Sequence, residues 1–388
     1  MLSCCSRRTL LRTLFFGAPG AAADKALVVV FLRGGADGLN MVVPHFEKAY
    51  YQMRPTLSIA KKDCIDLDGR FGFHPSFEPL AALFKEKRLA VVHAAGSDDD
   101  TRSHFEAQDQ MERAGRFQDG TSGGWLARHL RSRGGPAPSA LSAVAISTSV
   151  PESLRGGQAA AIADLSELSL GGRSRNADAL RGALQALYAG SEDPVEVAGR
   201  ETLEVIERLR ALRIDKAGDF PETEFGRGLR QVAALIRADV GLEIATVDLD
   251  GWDTHFTQGT TSGPLAGNVK ELADGLAAFA KVLGNRLDRA VVVVQTEFGR
   301  RVYENGSFGT DHGRGGVMLL MGAGIAGGKV ITEWPGLEGN ALEGPGDLPV
   351  TIDYREVLAE VVSKVLGNDS IDRVFPGLKP RYRGVVAG

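Results

Sequence analysis

The sequence predicts an α/β fold in which a mostly parallel sheet is sandwiched by helices. Apolar runs recur along the chain, helical patterns separate them, and acidic or histidine residues follow directly on several of the runs. With 388 residues, of which 43% are hydrophobic, the chain is long enough to bury a sizeable core. The net charge of −4 and the lack of a basic stripe interleaved with aromatics argue against nucleic acid as a partner.

The runs over 26–33 and 290–295 are apolar up to their last residue, which is typical of parallel strands buried on both faces. The helical segments over 177–189, 194–213 and 224–240 repeat their apolar residues at intervals of three and four. In chain order, we predict strands over 26–33, 89–94, 141–147, 241–249, 290–295 and 316–321, and helices over 77–87, 102–113, 125–133, 267–283 and 354–366. Between them, amphipathic segments over 177–189, 194–213 and 224–240 predict a helical insertion at about 170–240.

The first 23 residues have the order of an export signal. Arg7, Arg8 and Arg12 are followed by a short apolar stretch and then by small residues over 18–23. The segment SRRTLL resembles the twin-arginine export box, which predicts a periplasmic or secreted protein with one mature domain over 24–388. A frayed N-terminal tail is the alternative. No stretch supplies the roughly 20 apolar residues of a membrane span, and cleavage would leave Cys64 as the one cysteine, without a disulfide partner.

Polar clusters follow the predicted strands. They contain carboxylates and imidazoles, namely Asp37, Asp253, His255, Glu297, Asp311 and His312. Because ligands of open α/β sheets bind outside the carboxyl ends of the strands, these scattered positions are expected to converge there. A mixed oxygen and nitrogen set suits zinc, manganese or iron rather than calcium or magnesium, and predicts one or two divalent ions. Taken singly, a capping aspartate, a chance Asp-x-His pair or a surface loop would also explain these residues.

Ser103 is the candidate nucleophile of the sequence. It lies where a helix N-terminus would stabilise an anion, and Arg102 and His104 flank it. A serine hydroxyl is a poor nucleophile until a base or a metal ion lowers its pKa, and a nearby divalent ion does so. Arg102 would supply a bidentate fork for a phosphate or sulfate group. An ordinary helix N-cap is the alternative role for Ser103.

Several segments together resemble the domain of unknown function 1501 family, over nearly the whole mature chain. They are FLRGGADGLN, RSHFEAQDQMER, GWDTH, TEFGR, GTDHGRGG and WPGL. That family is in turn similar to the alkaline phosphatase and sulfatase superfamily, which includes cofactor-independent phosphoglycerate mutase and phosphopentomutase. The resemblance implies an alkaline phosphatase-like sheet sandwiched by helices, with a metal site at the carboxyl ends of the strands.

The resemblance also implies roles for individual residues. Asp37 would be the metal ligand after the first strand, Ser103, or alternatively Thr101, would lie near the nucleophile, and His312 would be the last histidine ligand. Asp253 and His255 resemble a ligand pair of the superfamily, but with one intervening residue where the relatives usually have three. Glu297 follows the strand that normally ends in Asp-His, and Phe298 occupies the partner position.

These expectations define two functions. The first is an exported metal-dependent hydrolase that acts on a small anionic phosphate or sulfate ester. The second is a non-catalytic exported protein that retains the fold as a binding or assembly partner. A nucleotide-binding oxidoreductase is disfavoured, because the segment 34–38 lacks the G-x-G-x-x-G order of a dinucleotide-binding turn.

Overall fold

The computed structural model describes residues 25–115, 122–135, 141–165, 177–188 and 218–388, together with the isolated positions 196, 200 and 203. The predicted export signal over 1–23 lies outside the described residues, and so does most of the helix predicted over 194–213. Within the described ranges, no helix combines the length and the apolar character that crossing a membrane requires.

The elements follow the predicted alternation of strands and helices. The strands are β1 (Ala26–Leu32), β2 (Val42–Val43), β3 (Ile65–Asp66), β4 (Gly72–Phe73), β5 (Leu89–Gly96), β6 (Ala143–Ala145), β7 (Ala160–Ala161), β8 (Ile244–Leu249), β9 (Ala290–Thr296), β10 (Arg300–Glu304), β11 (Thr310–His312), β12 (Gly316–Gly322), β13 (Val330–Ile331) and β14 (Ile352–Asp353). The helices are α1 (Gly38–Met41), α2 (Lys48–Met53), α3 (Ala81–Lys85), α4 (His104–Arg113), α5 (Trp125–Ser132), α6 (Ala177–Leu187), α7 (Glu224–Arg237), α8 (Pro264–Leu283), α9 (Tyr354–Lys364) and α10 (Ile371–Val374).

The main sheet has the order β13-β5-β12-β9-β1-β8-β6-β7, and β14 also pairs with β5. β1 lies in its interior, parallel to β8 on one side and to β9 on the other. Among the described strands of this sheet, only β12 runs antiparallel to its neighbours. The predicted α/β class with a mostly parallel sheet is confirmed, and the direction of β12 makes the sheet a mixed one.

Helices cover both faces of the sheet because side chains alternate between the faces along each strand. Val28 and Val30 of β1 belong to one core, which contains the apolar faces of α7 and α8. Leu27 and Val29 belong to the opposite core, with the apolar residues of α5 and α9. The predicted segment 224–240 thus contributes α7 to a helical layer, where Phe225 is buried against α8. Of the rest of the predicted insertion, α6 is described, and its Leu187 is exposed.

Two short antiparallel units have no counterpart among the predicted elements. β2, β4 and β3 form a three-stranded sheet, and β10 pairs with β11. The β10–β11 pair lies immediately before β12 in the chain. Because β12 runs opposite to its neighbours, it begins at the sheet edge where β1, β5, β8 and β9 end. The residues before β12 therefore meet the residues that follow those four strands at one edge.

Candidate metal centre

Three histidines and one aspartate converge at this edge. His104 begins α4, Asp253 and His255 follow β8, and His312 ends β11. One oxygen, Asp253 Oδ1, lies 3.3 Å from His255 Nε2, 3.3 Å from His312 Nε2 and 3.6 Å from His104 Nε2. His255 Nε2 and His312 Nε2 are 2.9 Å apart. We call these four residues the histidine cluster.

The Nδ1 atom of each of these histidines faces an oxygen acceptor outside the cluster. The partners are Glu297 Oε1 at 2.7 Å from His104, Asp311 Oδ1 at 3.2 Å from His255 and the Arg102 carbonyl oxygen at 2.8 Å from His312. Ionised carboxylates and carbonyl oxygens only accept, so each Nδ1 must carry the proton of its hydrogen bond. In a neutral ring, the Nε2 atom is then a lone pair that points into the cluster.

This arrangement leaves the Nε2 atoms poorly satisfied by the protein itself. His104 Nε2 is buried and has no hydrogen-bond partner among the described atoms. When both rings are neutral and protonated at Nδ1, His255 Nε2 and His312 Nε2 face each other as lone pairs, which repel at 2.9 Å. An unsatisfied buried polar atom costs about 1–3 kcal/mol, which a bound cation would relieve. Metal-ligating histidines characteristically donate their other N–H to a carboxylate or a carbonyl.

The donor atoms also have suitable separations. One donor atom from each of His104, Asp253 and His312 lies within 4.8 Å of the others. Bond lengths of about 2.0–2.1 Å in tetrahedral zinc sites place neighbouring ligand atoms roughly 3.3 Å apart, close to the separations around Asp253 Oδ1. His255 adjoins Asp253 and His312 at the side of this group. The residues present therefore fit a divalent ion with nitrogen and oxygen ligands.

Arg300 sets the electrostatics of Asp253. Its guanidinium is buried and donates to Asp253 Oδ1 at 2.6 Å and to the carbonyl oxygens of Gly35 and Thr310 at 2.6 and 2.9 Å. Burial raises the pKa of Asp253, but the hydrogen bond and positive charge of Arg300 outweigh it, so the pKa lies below the usual value. The carboxylate therefore stays ionised. Arg300 belongs to the TEFGR motif, although its role was not predicted.

Glu297, an expected metal ligand, lies behind His104 in the structure. Its buried Oε1 accepts hydrogen bonds from His104, from Gln108 Nε2 at 2.9 Å and from the Gly34 backbone N–H at 2.9 Å. Burial raises the pKa of Glu297, but the hydrogen bonds from His104 and Gln108 bring it below the usual value. The same bond to Glu297 raises the pKa of His104. Glu297 therefore orients His104 as an ionised acceptor.

Asp311 has a comparable place behind His255. Asn305 Nδ2 donates to Asp311 Oδ1 at 3.0 Å, and Arg301 Nη1 lies 3.4 Å from Asp311 Oδ2. The hydrogen bond from Asn305 is the largest cause of a lowered pKa of Asp311. Like Glu297, this carboxylate supports a cluster histidine from its outer side.

Asp37, also expected as a metal ligand, is paired elsewhere. Its carboxylate is fully buried and receives Arg54 Nη1 at 2.6 Å and Arg54 Nη2 at 3.0 Å. Gln258 Nε2 donates to the same carboxylate at 2.7 Å. Arg54 lies in a polar segment without an obvious motif, so no sequence pattern pointed to it. Asp37 is not among the residues that converge on the cluster, since its carboxylate lies against Arg54 and Gln258 instead.

Gln258 connects this buried pair to the cluster. Its Oε1 accepts hydrogen bonds from Thr254 Oγ1 and Thr310 Oγ1, both at 2.7 Å. Thr254 lies between Asp253 and His255, whereas Thr310 lies two residues before His312. The backbone N–H of Thr310 also donates to the Thr254 carbonyl at 3.1 Å. Asp37, Arg54 and Gln258 thus hold together the two segments that carry most of the cluster.

The expected anion-binding pair has a different environment from the one predicted. Arg102 Nε donates to the buried carboxylate of Asp347 at 2.9 Å, and Arg102 Nη2 donates to the Gly344 carbonyl at 2.9 Å. Ser103 is the N-cap residue of α4, but its side chain makes no capping hydrogen bond. The Arg102 guanidinium is therefore engaged within the chain, while the Ser103 hydroxyl is not used as a cap.

Comparison with curated proteins finds no match to this chain. A family model described as a protein of unknown function (DUF1501) matches residues 24–361. The match covers the main sheet from β1 to β14 and every residue of the histidine cluster. The chain therefore belongs to the DUF1501 family.

Proposed function

We propose that the protein is an exported metal-dependent hydrolase that acts on phosphate or sulfate esters. His104, Asp253 and His312 would hold one divalent ion, with His255 beside them. The observation that carries the proposal is the orientation of the imidazole rings: each Nδ1 faces an outer oxygen, and each Nε2 points into the cluster. The choice of a phosphate or sulfate ester rests on the resemblance of the sequence motifs to the alkaline phosphatase and sulfatase superfamily.

Three protein ligands leave a coordination position for water or substrate, which is the pattern of catalytic rather than structural zinc sites. A divalent ion at the cluster would polarise the ester oxygen and lower the pKa of an attacking water or hydroxyl group. Asp253 would contribute a negative charge, because Arg300 keeps its carboxylate ionised. Glu297 and Asp311 would fix the orientation of their histidines.

Ser103 remains the proposed nucleophile, because it directly precedes His104 in the chain and its hydroxyl makes no capping hydrogen bond. Replacing Ser103 with Ala should then abolish turnover while the metal stays bound. Full activity of the Ser103→Ala protein would instead assign the attack to water. In either case the anion needs a cationic partner other than a free Arg102, since Asp347 binds that guanidinium.

The first experiment is elemental analysis of protein prepared without chelators. Wild type is compared with Asp253→Asn and His312→Ala, and with Glu106→Ala as a control on the exposed face of α4. We expect stoichiometric zinc, manganese or iron in wild type and control, and its loss from both cluster variants. Loaded protein is then assayed with p-nitrophenyl phosphate and p-nitrophenyl sulfate. Folded wild-type protein without metal would refute the proposed site.

The second candidate function is a non-catalytic exported protein that retains the fold as a binding or assembly partner. The engagement of Arg102 by Asp347 favours it, because the residue expected to hold the anion is neutralised within the chain. This reading predicts no ester hydrolysis with any divalent metal. Bound metal together with no turnover of either ester would therefore support it over the hydrolase.

A further inference from the structure

Three phenylalanines that the protein leaves in solvent lie on the segments that carry the histidine cluster. Phe105, Phe256 and Phe308 are 89%, 72% and 60% exposed, and they are the most exposed phenylalanines among the described residues. A single exposed apolar side chain is ordinary, whereas several around one site indicate a contact surface. We call these three residues the phenylalanine rim.

The backbone ties the rim to the cluster. Phe105 follows His104 directly, and Phe256 follows His255, with ring centroids 6.5 Å apart in that pair. The turn of Phe308 is bonded to the turn of Phe256, because Gln258 N–H donates to the Phe308 carbonyl at 2.8 Å. The side chain of that same Gln258 accepts from the threonines beside the cluster residues. The rim and the cluster are therefore parts of the same loops.

Two residues of these turns have a strained backbone. Thr257 has a φ of 44° and Phe308 a φ of 57°, in the left-handed region that β-branched and bulky residues rarely adopt. Such conformations persist where the surrounding structure imposes them, and they cluster at functional sites. The strain is not offset by burying the Phe256 or Phe308 rings, since both are exposed. The turns therefore present their rings outwards at a cost to the fold.

A cavity of about 720 Å³ lies beside α4, next to Phe105. Phe105, Ile146, Val150 and Pro151 form an apolar part of its lining, and most of the other lining residues are charged or polar, among them Arg33, Glu112 and Asp248. Gln108 also lines it and donates to Glu297, the residue that orients His104. The cavity volume lies within the range of about 300–1,000 Å³ that is typical of small-molecule sites.

We infer that the substrate carries an apolar aryl or alkyl group next to its anionic ester, and that the phenylalanine rim binds this group. The inference rests on the proposed function and specifies its substrate class. A substrate is favoured as the occupant because Phe105 and Phe256 directly follow cluster histidines, and Phe105 also lines the cavity. A net charge of −4 does not favour attraction to an anionic lipid surface.

The test compares ethyl phosphate with 4-phenylbutyl phosphate, which are both primary alkyl esters with alcohol leaving groups of similar basicity. The corresponding sulfate esters form a second pair. With metal-loaded wild type, we expect kcat/KM for the phenylbutyl ester to exceed that for the ethyl ester by on the order of tenfold or more. In Phe105→Ala and in Phe256→Ala/Phe308→Ala, the ratio should fall towards one while the bound metal is retained. These variants should fold because the removed rings are exposed.

Tyr382→Ala is the matched control. Tyr382 is 42% exposed and contacts Lys364 at the end of α9. This helix starts after β14 at the cluster edge and runs back along the sheet, so its end lies away from the cluster. The control should keep the wild-type ratio. Equal kcat/KM for the two esters in wild type, or an unchanged ratio in the rim variants, would overturn the inference and leave the hydrolase intact. Absence of metal and of turnover would overturn both.

Two further measurements separate the other occupants. Wild type and the rim variants are compared by sedimentation with phosphatidylcholine vesicles and by analytical ultracentrifugation without lipid. Vesicle binding or dimerisation that the variants lose, without any change in the ester ratio, would assign the rim to a membrane or to a second copy and refute the substrate inference.

Discussion

Replacing Asp37 with Asn should destabilise the metal-free fold rather than empty the proposed metal centre. Asn keeps the size of the side chain and one acceptor oxygen, so the change removes chiefly the negative charge. That charge lies against Arg54, whose side chain is fully buried. All the guanidinium N–H directions have partners, since Asn40 and the carbonyls of Arg301 and Val302 accept the remaining bonds.

The magnitude follows from the burial of both partners. Breaking a buried ion pair by neutralising one member leaves an uncompensated charge and typically costs about 3–5 kcal/mol. Gln258 would still face the new amide, so its bond to position 37 is weakened rather than lost. Arg54→Met alone should cost a similar amount. The double variant should cost less than the sum of the two, because no charge then remains unpaired.

The assay is urea unfolding in EDTA, followed by the fluorescence of the buried Trp125 and Trp252. EDTA removes any contribution of bound metal to the free energy of unfolding. Metal content is measured in parallel under conditions where each variant is folded. If Asp37→Asn unfolds within about 1 kcal/mol of wild type in EDTA but no longer binds metal, then Asp37 is a ligand and the ion-pair argument is wrong.

The remaining predictions concern the support of the cluster and the response to acid. Glu297→Gln should weaken metal binding about 10–100-fold, because the negative charge that orients His104 is lost. Isothermal titration with Zn²⁺ measures the affinity, and an unchanged affinity would contradict the orienting role of Glu297. Gly309→Ala should lower both the thermal midpoint and the metal affinity, because a Cβ there would lie 2.2 Å from the His255 carbonyl oxygen. Gly306→Ala is the control: a Cβ at this position has nothing within 4 Å, so the thermal midpoint should stay unchanged. Burial lowers the pKa of both His93 and His129 to about 4. In the unfolded chain both histidines take up a proton near their usual pKa of about 6.5, whereas in the folded protein they do so only near pH 4. The free energy of unfolding should therefore be undiminished above about pH 6.5 and fall by on the order of 3 kcal/mol per histidine as the pH drops to about 4. Urea midpoints that stay constant between pH 7 and pH 4.5 would contradict this sign.

The sequence predicted the fold where a local pattern determines the structure. The runs that became β1 and β9 are apolar without interruption, because both faces of these strands are covered by helices. The direction of β12 was not predictable, since an apolar run has the same pattern whether the strand is parallel or antiparallel to its neighbours. The β10–β11 pair was missed because glycine and polar residues dominate the segment between Arg300 and His312, and its pairing depends on tertiary contacts.

The candidate site was predictable in its residue types and in its position at the strand ends, but not in the division of roles. Whether a carboxylate faces a cluster or supports it from behind depends on which imidazole nitrogen it contacts, and spacing along the chain does not encode that. Glu297 and His104 are far apart in sequence and meet only in the folded sheet. Arg54 neutralises Asp37 from a segment that carries no motif.

The position of β1 in the sheet also sets an order of events during folding. This strand, near the start of the described chain, pairs only with β8 and β9, which begin at Ile244 and Ala290. Contacts between residues so distant in sequence close large loops, which makes folding slow. During synthesis, β1 must wait until most of the polypeptide has emerged before either neighbour exists. The centre of the sheet is therefore completed only after β9, which ends at Thr296, has been made, and until then an apolar strand depends on other means to avoid aggregation.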